Sequence, residues 1–83
     1  MNQLETTIVE SARQQLSLLQ HALARPISDD RNDEMSSAFW MASGYVMLAN
    51  LADSGLSEVA RDALLSIEKE ISTAMSQSAK EVV

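Results

Sequence analysis

Apolar residues recur every three or four positions along three long segments of this chain, which is the spacing of one face of an α-helix. The first segment covers about residues 2–24, and its apolar positions are Leu4, Ile8, Ala12, Leu16, Leu19 and Leu23. No window alternates apolar and polar residues for long enough to make a β-strand. The pattern therefore predicts an all-α protein.

Two glycines and one proline separate or interrupt the helical segments. Pro26 cannot continue a helix, so it predicts the end of the first segment. Gly55 follows Asp53 and Ser54 and predicts a helix stop at which the glycine has a positive φ. Short connections of this kind favour antiparallel neighbours, and we expect a small three-helix bundle. The predicted bundle is one domain over residues 1–83, with helices at about 2–24, 33–53 and 57–80 and an acidic connector at 26–34.

Helix N-caps are most often Ser, Thr, Asp or Asn, because their side chains accept hydrogen bonds from free backbone N–H groups. Ser57 is therefore the predicted N-cap of the third helix, and Ser28, Asp30 and Asn32 are candidates for the second. The apolar positions of the third helix are Val59, Ala60, Ala63, Leu64, Ile67, Ile71, Ala74 and Met75.

The middle helix differs from its neighbours, since no charged residue occurs from Met35 through Ala52. Its broad apolar face consists of Met35, Ala38, Phe39, Met41, Ala42, Tyr45, Val46, Leu48, Ala49 and Ala52. A second apolar line, the Trp40 strip, runs beside that face and consists of Trp40, Gly44, Met47 and Leu51. A helix that is apolar on more than one side has to be covered on more than one side.

Two companion helices can cover the broad face of the middle helix, but the Trp40 strip remains. Gly44 costs about 1 kcal/mol relative to alanine inside a helix, and close approach of another backbone is one reason to tolerate it. A chain this short buries only about 60% of the surface that its unfolded form exposes, so dimerisation is a common way to complete its core. The strip therefore predicts contact with a second chain, either another copy in a homodimer or a different protein. The alternative is that the outer helices wrap further around the middle one.

The charge balance limits the partners. Twelve acidic and six basic residues give a net charge of −6 and a pI near 4.5, which argues against direct binding to nucleic acid. Four acids in the connector, Asp29, Asp30, Asp33 and Glu34, predict an acidic docking patch for a basic partner surface. The alternative is a solvated segment whose acids favour the start of the next helix. Their spacing does not make a Ca²⁺ loop, because the required glycine and final carboxylate are missing.

Leu65 lies between Arg61 and Lys69 on the charged face of the third helix. It is a further candidate contact for a partner, or a partly exposed leucine of the ordinary kind.

The residues that catalysis or metal binding requires are sparse. The chain has no cysteine and one histidine, His21, and it contains no zinc-binding spacing, nucleophile elbow or glycine-rich phosphate loop. We therefore expect no enzyme activity, no cofactor and no metal site. The absence of cysteine and of a basic, apolar N-terminal leader predicts a cytoplasmic protein. The uncharged run of the middle helix contains several polar residues and is flanked by acids, so we expect no membrane span.

In size, acidity and helical make-up the chain resembles small bacterial inhibitors, anti-activators and secretion chaperones, a likeness of general architecture only. The leading hypothesis is a non-enzymatic module that regulates another protein by binding it through the apolar strip. The alternative is a small-molecule binder, with Trp40, Ser43, Tyr45 and Asn50 lining a pocket between splayed helices.

Overall fold

The computed structural model describes residues 1–51 and 55–82, with the side chains described as far as residue 77. Within these residues the chain forms three α-helices and one short 3₁₀-helix, and no strand. Helix α1 covers Gln3–Leu23, α2 covers Asp29–Met47 and α3 covers Glu58–Val82, while the 3₁₀-helix covers Leu48–Asn50 directly after α2. The predicted all-α, three-helix fold is confirmed.

Helix α1 begins with a reciprocal pair of hydrogen bonds between Asn2 and Glu5. The Asn2 side chain accepts from the backbone N–H of Glu5 at 2.8 Å, and the Glu5 carboxylate accepts from the backbone N–H of Asn2 at 3.0 Å. This capping box satisfies two backbone donors that the first helical turn leaves free.

The second helix begins four residues earlier than expected. Ser28 is its N-cap, and the Ser28 hydroxyl accepts a hydrogen bond from the backbone N–H of Arg31 at 3.1 Å. The segment 29–34 is therefore helix and not connector, which corrects the predicted boundary. Acidic residues are compatible with this position because the first turn of a helix carries a partial positive charge.

The middle helix also ends differently from the expectation. Regular α-helix stops at Met47, and the predicted end at Asp53 lies outside the described residues. Gly55 has a φ of +75°, so the predicted positive φ at this glycine is confirmed. Ser57 caps α3 as predicted, because its hydroxyl accepts from the backbone N–H of Ala60 at 3.3 Å.

The relative directions of the helices follow from two contacts at the ends of the bundle. A connection of a few residues joins α1 to α2 and makes them antiparallel, and a hydrogen bond from Arg31 to the carbonyl of Ala22 fastens this corner. At the opposite end, the Glu5 carboxylate accepts a hydrogen bond from the backbone N–H of Ser57, so α1 and α3 begin side by side. The bundle therefore runs up, down and up.

The core is a single cluster along the inner faces of the three helices. Its fully enclosed large side chains are Leu19, Leu64 and Ile67. Helices α1 and α2 make the most extensive contact and α2 and α3 a smaller one. Alanine is frequent among the buried residues of α1 and α2. These buried alanines are Ala12 and Ala22 on α1 and Ala38 and Ala42 on α2.

Three residues that the helical pattern places on inner faces are exposed instead. Leu4 and Val59 each lie in the first turn of a helix, where the bundle ends and no neighbouring helix covers them. Met41 lies at the edge of the broad face of α2 and is half exposed. The rest of the described broad face is buried or half-buried against the core.

Candidate protein-binding surface

The Trp40 strip lies on the outside of the bundle. Trp40 is 71% exposed, Met47 is 61% exposed and Leu51 is 51% exposed. Gly44 lies between them and is also exposed. The outer helices therefore do not wrap far enough around α2 to cover this line, and four consecutive positions of the strip face solvent.

The Trp40 ring packs against the ring of its neighbour in sequence, Phe39. Phe39 and Trp40 meet edge to face, with ring centroids 5.5 Å apart and an interplanar angle of 74°. Phe39 itself packs against the core cluster. Aromatic pairs prefer this geometry, and each such pair contributes about 0.5–1.5 kcal/mol beyond area burial. The exposed indole of Trp40 therefore contacts a side chain that is itself packed against the core.

Within the described part of the chain, the space beside the Gly44 Cα is open. A Cβ built on this residue would meet no atom within 4 Å. Intramolecular packing therefore does not require glycine at this position, although glycine weakens the helix. Gly44 is exposed, so among the described residues the open space beside it faces solvent.

The far end of the strip is linked to α3 by a polar contact. The Asn50 amide donates to the Glu68 carboxylate at 3.2 Å. Leu65 lies one turn before Glu68 on α3 and is 40% exposed. Leu65 is thus an exposed apolar residue on a different helix from the strip.

The four predicted acidic docking residues are all exposed and lie in the first two turns of α2. Glu34 forms an ion pair with Arg25. Within the described part of the chain no ion pair involves Asp29, Asp30 or Asp33. The structure therefore places these four acids on α2 and not in a connector, with one of the four charges already paired.

Two surface grooves flank the bundle. One, of 470 Å³, lies between α1 and α2 and brings His21 near two of the acids; its lining is Gln15, Leu18, His21, Asp33, Glu34, Ser37 and Ala38. The other, of 370 Å³, lies between α1 and α3; its lining is Gln20, Leu23, Ala24, Glu70, Thr73, Ala74 and Gln77. None of the four residues predicted for a small-molecule pocket lines either groove. Trp40, Ser43 and Tyr45 lie on α2 and Asn50 lies on the 3₁₀-helix that follows it, and neither of the two grooves lies between them.

Two buried charged residues were missed by sequence reasoning. Glu5 is buried, and hydrogen bonds from the backbone N–H groups of Ser57 and Asn2 hold its pKa below the usual value of 4.5. Arg31 is buried at the corner of α1 and α2, where its Nε donates to the Ala22 carbonyl at 3.1 Å and its Nη1 to Asn32 at 3.0 Å. The Asn2 to Glu5 spacing was the available signal for the first. No local signal indicated the second. Both residues join helix ends through hydrogen bonds, and both are buried.

Among the described side chains, no group of three His, Cys, Asp or Glu residues could hold a metal ion. Over residues 1–51 and 55–82, no helix has both the length and the apolar character needed to cross a bilayer. Comparisons of the chain with protein families, with curated proteins and with solved structures yield no match.

Proposed function

We propose that this chain is a small acidic interaction module without enzymatic activity, which binds a protein surface through the Trp40 strip. In this proposal it acts in the cytoplasm as a regulator, inhibitor or chaperone-like adaptor, and it forms homodimers. The observation that carries the proposal is the exposure of Trp40 and Met47 on a helix with no charged residue from Met35 through its end at Met47.

The residue types of the strip suit a protein contact. Tryptophan and methionine are enriched in the buried centres of interfaces, whereas charged residues are depleted there. Trp40 is supported by Phe39, so little side-chain freedom is lost when a partner covers the indole. A preorganised aromatic side chain of this kind is a typical binding hot spot.

The acids at the start of α2 support a second part of the proposal. Asp29, Asp30 and Asp33 are exposed beside the strip and carry no described ion pair, and the chain as a whole has a net charge of −6. Such a surface raises the association rate with a basic partner and selects against acidic ones. The effect of these acids on the association rate decreases with salt, because exposed charges are screened beyond about 8 Å at physiological ionic strength.

The experiment is a Trp40→Ala substitution. Because Trp40 is 71% exposed, its truncation leaves the helical fold largely intact, and circular dichroism should be close to that of the parent protein. Truncation of a hot-spot aromatic weakens association by about 2–4 kcal/mol, which is roughly a 30-fold to 1,000-fold rise in Kd. Sedimentation equilibrium of both proteins over a range of concentrations measures the change.

The matched control is Leu18→Ala, which removes a half-exposed apolar side chain from α1, outside the strip. This variant should assemble like the parent protein. A parallel capture experiment compares the proteins retained from host extract by the parent, by Trp40→Ala and by Leu18→Ala. If Trp40→Ala changes neither the mass in solution nor the set of captured proteins, the proposed function is wrong.

A further inference from the structure

Two copies of a chain with a net charge of −6 repel each other unless they meet on an uncharged surface. No Asp, Glu, Lys or Arg occurs between Met35 and Asn50. Trp40, Gly44 and Met47 of the strip are exposed in this run, and its other exposed residues are also uncharged; these are Ser36, Ser37, Met41 and Asn50. The strip therefore allows a second copy to approach without burying like charges.

The amount of exposed surface also fits a missing partner. A compact monomer of 9.1 kDa is expected to expose about 4,900 Å², whereas this chain exposes 5575 Å². A standard interface covers roughly 800 Å² on each partner. The extents of 40 × 20 × 15 Å give the molecule a long side on which such an area can be covered.

The order of residues along the strip suits a two-fold axis at Gly44. In a symmetric dimer, if residue i of one copy contacts residue j of the other, then j also contacts i. Trp40 lies four residues before Gly44 and Met47 lies three residues after it. In an antiparallel pair that crosses at Gly44, the Trp40 ring of each copy lies beside Met47 of the other. Sulfur–aromatic contacts of this kind are favourable, and Gly44 allows the two backbones to approach closely.

The acids favour the antiparallel direction over the parallel one. In a parallel pair the two Asp33 side chains would lie at the same level. In the antiparallel pair, eleven residues separate each Asp33 from the crossing point, which places the two about 33 Å apart along the axis at 1.5 Å per residue. The helix dipoles are also opposed in that arrangement and attract.

We infer that the partner of the Trp40 strip is a second copy of this chain, packed through α2 in an antiparallel, two-fold arrangement that crosses at Gly44. This inference rests on the proposed function and names the partner of the same surface. The exposed acids at the start of α2 then lie at the two ends of the dimer and not in its contact.

The chain has no cysteine, so single cysteines can report which residues lie together. Ser37 and Leu51 are both exposed and lie seven residues on either side of Gly44. Ser37→Cys and Leu51→Cys are prepared separately, checked for helical content, and treated alone and as an equal mixture with a short bismaleimide linker. The antiparallel pair brings Ser37 of one copy opposite Leu51 of the other, so the mixture should give a covalent dimer. Each variant alone should give little, because the two Ser37 positions lie about 21 Å apart along the axis. The two Leu51 positions lie beyond the 3₁₀-helices, which rise more steeply per residue than an α-helix, so they are at least as far apart.

Ser72→Cys, on the exposed side of α3, is the matched control and should give no product with Ser37→Cys. A covalent dimer from Ser37→Cys alone would indicate a parallel pair and overturn the inference. The inference is also wrong if the parent protein is a dimer by sedimentation but the mixture gives no product. A parent protein that stays monomeric at all concentrations would exclude the second copy as partner. Failure of the proposed function is read separately, from Trp40→Ala and the captured proteins.

Discussion

Glu5 shows how one side chain can fix the ends of two helices. Its carboxylate accepts a hydrogen bond from the backbone N–H of Asn2 and another from the backbone N–H of Ser57, which lies 52 residues after Glu5. Both donors belong to helix starts whose backbone N–H groups lack partners within the helix. A single carboxylate therefore joins the start of α1 to the start of α3.

This arrangement predicts a specific dependence of stability on pH. Because hydrogen bonds lower the pKa of Glu5 in the folded state, its contribution is fully present above the usual carboxyl pKa of the unfolded chain. The contribution is lost as the pH falls through the lowered pKa of the folded state. Glu5→Gln should therefore be less stable than the parent protein at pH 7, and the difference should decrease steadily below about pH 4.5. Urea unfolding at several pH values measures both effects.

Glu10→Gln is the control for Glu5→Gln. Because Glu10 is exposed on α1, this substitution removes one carboxylate without breaking a contact between helices. The difference in stability from the parent protein should decrease at low pH for Glu5→Gln and should not do so for Glu10→Gln. If the two substitutions behave alike across the pH range, the Glu5 carboxylate does not join the helices.

Arg31 marks the limit of local sequence reasoning. A pattern of apolar spacing assigns arginine to a polar surface, and the residue stands among acids. Its burial depends on the carbonyl of Ala22, which the chain brings near only after α1 and α2 have paired. The negative end of the α1 dipole favours a cation there. A contact that forms only between paired helices cannot be predicted from the local sequence.

At the scale of the helices, apolar spacing was sufficient to predict three helices. Residue type predicted the N-cap Ser57 and the positive φ of Gly55, and it gave Ser28 as one of three candidate N-caps for α2, with Asp30 and Asn32. The start of α2 was placed too late because acids were read as a connector, although acids at a helix start are themselves stabilised by the helix dipole. The exposed strip was predictable for a different reason. The width of the apolar surface on the middle helix exceeds what two neighbours cover, and that excess is visible in the sequence.

The two glycines should respond in opposite ways to alanine. Gly44 has helical geometry and open space around a built Cβ, so Gly44→Ala should stabilise the isolated chain by about 1 kcal/mol through helix propensity. In the proposed dimer the added methyl group would lie in the crossing contact, and self-association should weaken. Gly55 has a φ of +75°, and alanine in that conformation costs about 1–2 kcal/mol.

Urea unfolding at low concentration and sedimentation at high concentration separate these effects. Gly55→Ala should be less stable than the parent protein at low concentration and should retain its tendency to associate. Gly44→Ala should be more stable at low concentration and associate less. If Gly44→Ala associates as strongly as the parent protein, another backbone does not approach α2 at this residue.

For the whole molecule, small size favours association with a second copy, whereas net charge opposes it. A domain of 83 residues is only marginally stable alone, so covering the strip adds stability that the monomer lacks. A net charge of −6 opposes the approach of a second copy. In the proposed dimer the uncharged length of α2 resolves this conflict, because the contact is then confined to the part of the surface where repulsion is least.

Coupling of folding to association makes thermal stability depend on concentration. When the native state is a dimer and the unfolded state is monomeric, each tenfold rise in concentration stabilises the dimer by about 1.4 kcal/mol, shared by two chains. For a domain of this size the Tm should rise by about 3–6 °C per tenfold increase. Trp40→Ala should flatten this dependence, whereas Leu18→Ala should keep the slope even if its Tm is shifted. Scanning calorimetry over a hundredfold range of concentration measures the slope, and a parent protein whose Tm stays constant over that range would contradict folding coupled to dimerisation.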